Sequence, residues 1–244
     1  MKKMISMVLA LALCLMLVPA VAEEASVVGT WYLSRAESSQ AAIDVVDPEG
    51  IVFVFAEDGT CDVNIKAYGA TQEGTWKQEG SSVTITIQDQ AQTLKLKDGD
   101  LVYSMGGSTA YLSRTPGEAV AIPALIQAES AEAFNGRYIA VAQLSTGLYA
   151  VIPEEMAASM GILSIENGKA SVLVDGTAMQ ETEFTFENGV MTAEDNSVLP
   201  IKSVLTLMEN GNLCFTTIIE QGGMSVEMSY IYAPCEEVEE APAA

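Results

Sequence analysis

Short runs of β-branched and aromatic residues, each followed by a glycine-containing pair, constrain the fold of this chain more than any other feature. Strand composition is found in Ile51-Val52-Phe53-Val54-Phe55 and in Val83-Thr84-Ile85-Thr86-Ile87. Pairs such as Asp58-Gly59 and Asp98-Gly99 are typical of hairpin turns because glycine tolerates positive φ. With roughly ten residues per strand and turn, residues 27–114 contain about seven or eight antiparallel strands. That number is typical of a small barrel.

The same order of signals returns roughly 110 residues later, which indicates an internal repeat. The segment Gly29-Thr30-Trp31-Tyr32, for example, corresponds to Gly136-Arg137-Tyr138-Ile139. We therefore predict an all-β fold of two tandem small antiparallel β-barrels, at residues 25–114 and 133–234. The proline-containing segment at residues 115–132 is predicted to be a linker, with a helical turn towards its end.

One helix is predicted in the second domain, after its first strand. Pro153 stands at the position expected for the first helical residue, and Gly161 at the position expected for the end. Met156 and Met160 are four residues apart and would face the interior together. Residues 37–46 are the predicted counterpart, a short helix or turn in the first domain, so each barrel would have such a segment over one open end.

The N-terminus predicts export. Residues 1–22 have Lys2 and Lys3 directly after Met1, continue as an apolar run and end in Ala20-Val21-Ala22, which is the order of a secretory signal peptide. Lipid attachment at Cys14 is an alternative, because the preceding residues loosely resemble a bacterial lipobox. Residues 235–244 form an acidic tail that is predicted to be disordered. We expect a secreted or extracytoplasmic protein that is soluble, without membrane insertion, after signal cleavage.

Charge and composition exclude several classes of function. The 244 residues contain 33 acidic and 11 basic side chains, for a net charge of −22, and no histidine. Such a surface repels phosphate backbones, so no nucleic-acid partner is expected. The absence of histidine removes the commonest general bases and nucleophile pairs. No motif of a calcium or phosphate loop is present, although loose calcium binding to the acidic surface stays open. We predict no catalytic residues, no cofactor and no metal site.

Three cysteines follow the signal segment. Cys61 shares its strand face with Val63 and Ile65 and is therefore predicted to be a buried, unreactive thiol. Cys214 and Cys235 could form a disulfide, since export permits one, and the sequence leaves this open.

A series of motifs runs through the first domain in a fixed order: Gly29-Thr30-Trp31-Tyr32-Leu33, Glu57-Asp58-Gly59-Thr60, Glu73-Gly74-Thr75-Trp76, Val83-Thr84-Ile85-Thr86 and finally Arg114. This series resembles the bacterial lipocalin-like domains of exported proteins. The resemblance implies that Trp31 packs beneath Arg114 and that this contact closes the barrel. In the second domain Tyr138 stands in place of the tryptophan and no arginine ends the last strand, so that copy is divergent.

Methionines are concentrated in the second domain, and flexible, polarisable methionine suits an adaptable apolar pocket. The predicted ligand-binding residues are therefore Met156, Met160, Met224, Met228 and Tyr230. The alternative is that these side chains fill an irregular core. The first domain, with short strands and both tryptophans, is predicted to have a filled interior.

These features together predict an exported, non-enzymatic binding module that holds a small apolar molecule in the second barrel. The alternative is a structural or protein-interaction module at the cell envelope, whose partner would be an envelope protein. A cavity favours the first function, whereas packed interiors and an exposed apolar patch favour the second.

Overall fold

The computed structural model describes residues 26–39, 41–66, 69–105, 107–197, 199–221 and 224–235. The predicted signal peptide, Cys14 and the acidic tail after Cys235 lie outside these residues. Within them the chain is all-β, with twenty strands, one α-helix and a short 3-10 helix at Ala131–Phe134. The all-β prediction is confirmed.

Eight strands of the first half close into an antiparallel barrel in the order β1-β3-β4-β5-β6-β7-β8-β9. Hairpins join neighbouring strands from β3 onwards, and β9 closes the barrel by pairing with β1. The small antiparallel barrel of about seven or eight strands that the sequence predicts for this half is therefore confirmed, and it has eight. The bounds of the first nine strands are β1 Gly29–Ser38, β2 Ile43–Val45, β3 Ile51–Phe55, β4 Thr60–Ile65, β5 Ala70–Glu79, β6 Ser82–Ile87, β7 Gln90–Lys97, β8 Asp100–Met105 and β9 Ser108–Ser113.

The helix or turn predicted over residues 37–46 is wrong. Strand β1 continues to Ser38, and β2 occupies Ile43–Val45. Val45 is buried whereas Asp44 is exposed, so the segment alternates like a strand. Its pairing partner is more than 100 residues away, in the second half, and local sequence therefore does not reveal it.

The second half forms one twelve-stranded antiparallel sheet, which also includes β2. Its main path runs β15-β14-β13-β11-β20-β19-β18-β17-β16. The two end strands of this path are consecutive in sequence and are separated by the single residue Phe184. The bounds are β10 Leu125–Ile126, β11 Gly136–Ser145, β12 Leu148–Val151, α1 Glu154–Met160, β13 Ile162–Glu166, β14 Lys169–Val174, β15 Thr177–Glu183, β16 Thr185–Glu187, β17 Val190–Asp195, β18 Ile201–Met208, β19 Leu213–Gln221 and β20 Met224–Pro234.

Two local predictions in this half need correction. The predicted linker contains strand β10, which pairs with β18, and its helical turn begins only at Ala131. Helix α1 is present, with Pro153 as its N-cap and Gly161 as its C-cap at φ 80°. However, Met156 is 51% exposed and the buried residue of the helix is Ala157. The helix turns this methionine to solvent because it packs through a small residue.

The halves have separate cores, but they are not structurally independent. One core centres on Trp31 and Phe55 and the other on Phe134 and Tyr138. Strand β2 of the first half nevertheless pairs with β12 of the second. Strand pairing therefore joins the two halves that the sequence predicts as tandem barrels. The contact lies outside the barrel path, so it joins the halves without opening the first barrel.

The three cysteines of the described residues, Cys61, Cys214 and Cys235, have free thiols. Cys61 is buried, as its strand face predicts. Burial raises the pKa of both the Cys61 and the Cys214 thiol. Both are therefore poor nucleophiles at neutral pH.

Candidate ligand-binding cavity

One end of the first barrel is closed by the chain segment that precedes β1. Val27 is fully buried, and its carbonyl accepts a hydrogen bond from Trp31 Nε1 at 2.7 Å. The guanidinium of Arg114 donates to the carbonyls of Ser26 and Val28, each at 2.6 Å. Its central carbon lies 4.0 Å from the centre of the Trp31 ring. This is the contact that the sequence resemblance implies, and it ties both ends of the barrel sequence together.

Aromatic rings fill the interior just above this closure. Phe55 is 1% exposed and contacts Trp76 edge-on, with ring centroids 5.6 Å apart. Trp76 Nε1 donates to the carbonyl of Ala56 at 2.9 Å, so its polar atom is satisfied. This end of the barrel is a packed core.

The opposite end of the barrel contains a cavity of about 410 Å³. Ile51, Phe53, Ile65 and Ile87 lie there and are only half-buried, whereas their counterparts at the closed end are fully buried. The complete lining comprises Leu33, Ile51, Phe53, Val63, Ile65, Gln72, Ile85, Ile87, Gln88, Gln90, Gln92, Tyr103, Ala110 and Leu112. The filled interior predicted for this barrel is therefore wrong.

The cavity exists because the inward positions near the open end hold residues that do not fill it. Along β7, alternate side chains face inward, and they change from Leu94 in the core to Gln92 and Gln90 at the mouth. Ala110 on β9 is too small to reach across the barrel, and it pairs with Tyr103 on β8. The interior is thus crowded at one end and open at the other.

The described residues that line the cavity include no charged side chain. Arg35 lies on the outer wall, where it stacks on Tyr111 at 3.8 Å and pairs with Glu37. Lys66 pairs with Asp47 at 2.6 Å, which raises the pKa of the lysine. The cavity is therefore apolar and neutral within a strongly acidic molecule.

Comparison with known proteins supports a lipocalin-like domain in this half. Residues 27–103 match the family described as lipocalin-like domain. The match covers β1 to β8 as far as Tyr103, whereas β9 and Arg114 lie beyond it. No curated protein matches the chain. A solved structure of BBS1N in complex with ARL6DN, soaked with mercury, covers 86% of this chain and 99% of its own at 10% identity, with a TM-score of 0.14. A similarity at that level indicates neither a shared fold nor a shared function.

The cavity of the lipocalin-like barrel is not the ligand site predicted from the sequence, which was in the second half. Of the predicted ligand-binding residues, Met156 is exposed, Met228 is half-buried, and Met160 and Tyr230 pack against the core of the second half. Met224 is the first residue of β20, and its side chain is not among those that the structure describes. The prediction that any cavity belongs to the second half alone is wrong.

The second half contains a smaller cavity of about 310 Å³. Leu163, Phe184 and Phe215 form part of its wall, together with the polar Ser171, Thr182 and Ser203. Met179 is the methionine that lines it, and this side chain is 69% exposed. None of the four described side chains among the predicted ligand-binding residues is in this wall. The methionines therefore do not converge on one site.

Sequence reasoning missed the four glutamines at the mouth of the lipocalin-like barrel. Gln72, Gln88, Gln90 and Gln92 all line the cavity. A signal was present in Gln90-Ala91-Gln92-Thr93-Leu94, where the alternation that places Leu94 inside also places both glutamines inside. Polar residues at inward positions of a barrel strand indicate an opening rather than a core.

Two features are absent from the described residues. Among them, no helix is both long enough and apolar enough to cross a membrane. The same part of the chain contains no group of three or more His, Cys, Asp or Glu side chains arranged to hold a metal ion.

Proposed function

We propose that this protein is a non-enzymatic binding protein that holds a small apolar molecule in the cavity of its lipocalin-like barrel. The observation that carries the proposal is a cavity of about 410 Å³ with an apolar floor and a mouth of neutral amides. Ligand sites in proteins typically have volumes of about 300–1,000 Å³ and are lined mainly by apolar side chains with a few polar ones.

The lining favours binding over catalysis. A reaction needs a nucleophile, a general acid or base, or a metal at the reacting atoms. The described wall residues are aliphatic, aromatic or amide side chains, with Tyr103 the one hydroxyl among them. Such a wall supplies apolar contact area and hydrogen bonds.

The second half is inferred to be a divergent copy of the barrel. In β1 the register shifts between Leu33 and Arg35, and in β11 it shifts at the corresponding place, between Ala140 and Ala142. Tyr138 Oη donates to the carbonyl four residues earlier at 3.0 Å, as Trp31 Nε1 does in the first half. These matched features support duplication. Export is also part of the proposal and rests on the N-terminal sequence pattern alone.

The proposal is tested by filling the cavity. Ala110→Phe places a ring among the lining residues, and we expect it to weaken binding of the neutral fluorescent probe N-phenyl-naphthylamine by about tenfold or more. Ala91→Phe is the matched control, because Ala91 is exposed on the outer face of β7. The probe is titrated into each purified protein and its fluorescence is followed.

Two results would contradict the proposal. One is that the unmodified protein does not bind the probe or any neutral apolar molecule, which would favour the interaction module at the cell envelope. The other is that Ala110→Phe and Ala91→Phe bind the probe equally well, which would place the binding site outside the barrel.

A further inference from the structure

Four glutamines form one side of the cavity mouth, and they define the chemistry of the ligand that enters it. We propose that the cavity selects an amphiphile with an uncharged, hydrogen-bonding head group and rejects the fatty-acid anion of the same length. This inference rests on the proposed function, since it concerns the same cavity. Gln72 is on β5, Gln88 is in the turn after β6, and Gln90 and Gln92 are on β7.

The amides are available to a ligand. Gln88, Gln90 and Gln92 are exposed, and Gln72 is half-buried beside Val63, its partner on β4. Each side-chain amide offers one carbonyl acceptor and two N–H donors, and it carries no net charge. Together they can both donate to and accept from an alcohol or an amide head. The apolar residues below them would contact the alkyl chain.

A carboxylate head can accept hydrogen bonds from the amide N–H groups, but it meets no cation at this mouth. Ion pairing would require a cation, and the described lining contains none. Lys66 is paired with Asp47 and lines a different groove, between the two halves. Removing a carboxylate from water without a countercharge is unfavourable. Asp89 in the turn between Gln88 and Gln90, and the net charge of −22, add repulsion.

The volume of the cavity limits the length of the ligand's alkyl chain. A water-sized group occupies about 30 Å³ of liquid volume, so the cavity of about 410 Å³ accommodates an alkyl chain of about ten carbons with its head. Suitable probes are therefore decanol, decanamide and decanoate, whose chain lengths match and whose heads differ.

The first experiment measures displacement of N-phenyl-naphthylamine by these three compounds at neutral pH. We expect decanol and decanamide to bind at least about tenfold more tightly than decanoate. Decanoate binding as tightly as the neutral compounds would overturn the inference while leaving the proposed function intact. If the probe itself does not bind, the proposed function fails instead.

The second experiment tests whether a cation at the mouth removes the preference for neutral head groups. Gln92→Lys places a cation at the mouth, and we expect it to tighten decanoate binding by about tenfold through a charge-assisted hydrogen bond. Thr93→Lys is the matched control, because it adds the same charge to the adjacent residue, on the outer face of β7. If decanoate affinity rises equally in both variants, the effect is due to net charge, and the inference that the mouth selects the head group is overturned.

Discussion

Arg114 is the residue that joins the two ends of the lipocalin-like barrel. It follows the last strand, yet its guanidinium binds the carbonyls of Ser26 and Val28 before the first strand and covers the Trp31 ring. Gly29 makes this approach possible, because a Cβ at this position would lie 2.6 Å from Arg114 Nη1. Partial burial lowers the pKa of the guanidinium, but an arginine remains charged at any physiological pH.

We expect Arg114→Met to lower the free energy of unfolding by about 1–3 kcal/mol, because two charge-assisted hydrogen bonds to the backbone are lost. Arg35→Met is the control, since Arg35 also stacks on a ring but binds only an exposed carboxylate. Its loss should be smaller. Denaturant unfolding followed by tryptophan fluorescence measures both. Equal losses of stability in the two variants would mean that the hydrogen bonds from Arg114 to the backbone carbonyls add nothing to the ring contact.

Strand β5 forms one corner of the barrel, where the strand changes its pairing partner. Its first part, up to Thr75, pairs with β4, and its second part, from Thr75 onwards, pairs with β6. Gly74 lies where the change occurs, and a Cβ there would be 2.5 Å from the carbonyl oxygen of Thr86. Glycine within a strand commonly marks such a close approach of neighbouring backbone.

Gly74→Ala should therefore destabilise the barrel by about 1–3 kcal/mol, because backbone cannot yield as a flexible side chain can. Thr71→Ala, at an exposed position of the same strand, should cost less than about 1 kcal/mol. Thermal unfolding monitored by circular dichroism distinguishes the two. A Gly74→Ala protein as stable as the control would show that the strands can separate at this corner without loss.

The two halves of the molecule are joined by backbone contacts around β2. The carbonyl of Gly147 accepts hydrogen bonds from the amides of Val46 and Asp47, and the amide of Val120 donates to the carbonyl of Val45. Strand β2 therefore lies between β12 and the connecting segment. The same stretch, residues 39–50, joins β1 to β3 at the open end of the barrel. The second half thus holds a strand that precedes the cavity-lining residue Ile51 by a few residues.

We expect Gly147→Ala to disrupt this junction, because its Cβ would lie 2.2 Å from the carbonyl oxygen of Asp47. The variant should be cleaved faster by protease in residues 115–127, since that segment loses its anchored neighbour. Gly211→Ala is the matched control, with a similar positive φ but open space around the Cβ. If both variants are cleaved faster to a similar extent, the cause is backbone strain at the substituted glycine and not loss of the contact between the two halves.

The sequence by itself determined the strands that form the first barrel and the turns between them. These features are local, or they depend on an alternation that repeats every two residues, so Cys61, Val63 and the glycine turns predict them directly. The position of Trp31 relative to Arg114 came from a family resemblance. The lipocalin-like match over residues 27–103 supports the domain to which that resemblance points.

Only the tertiary structure decided where space remains inside the molecule. A cavity depends on the summed volume of side chains from eight strands, so Phe53 and Tyr103 could not be assigned to a wall or to a filled core from their own strands. The same limit explains residues 37–46, whose strand pairs with a partner far along the chain. It also explains Met156, which faces solvent because its helix packs through Ala157. Burial is a property of the assembled fold, whereas alternation is a property of each strand.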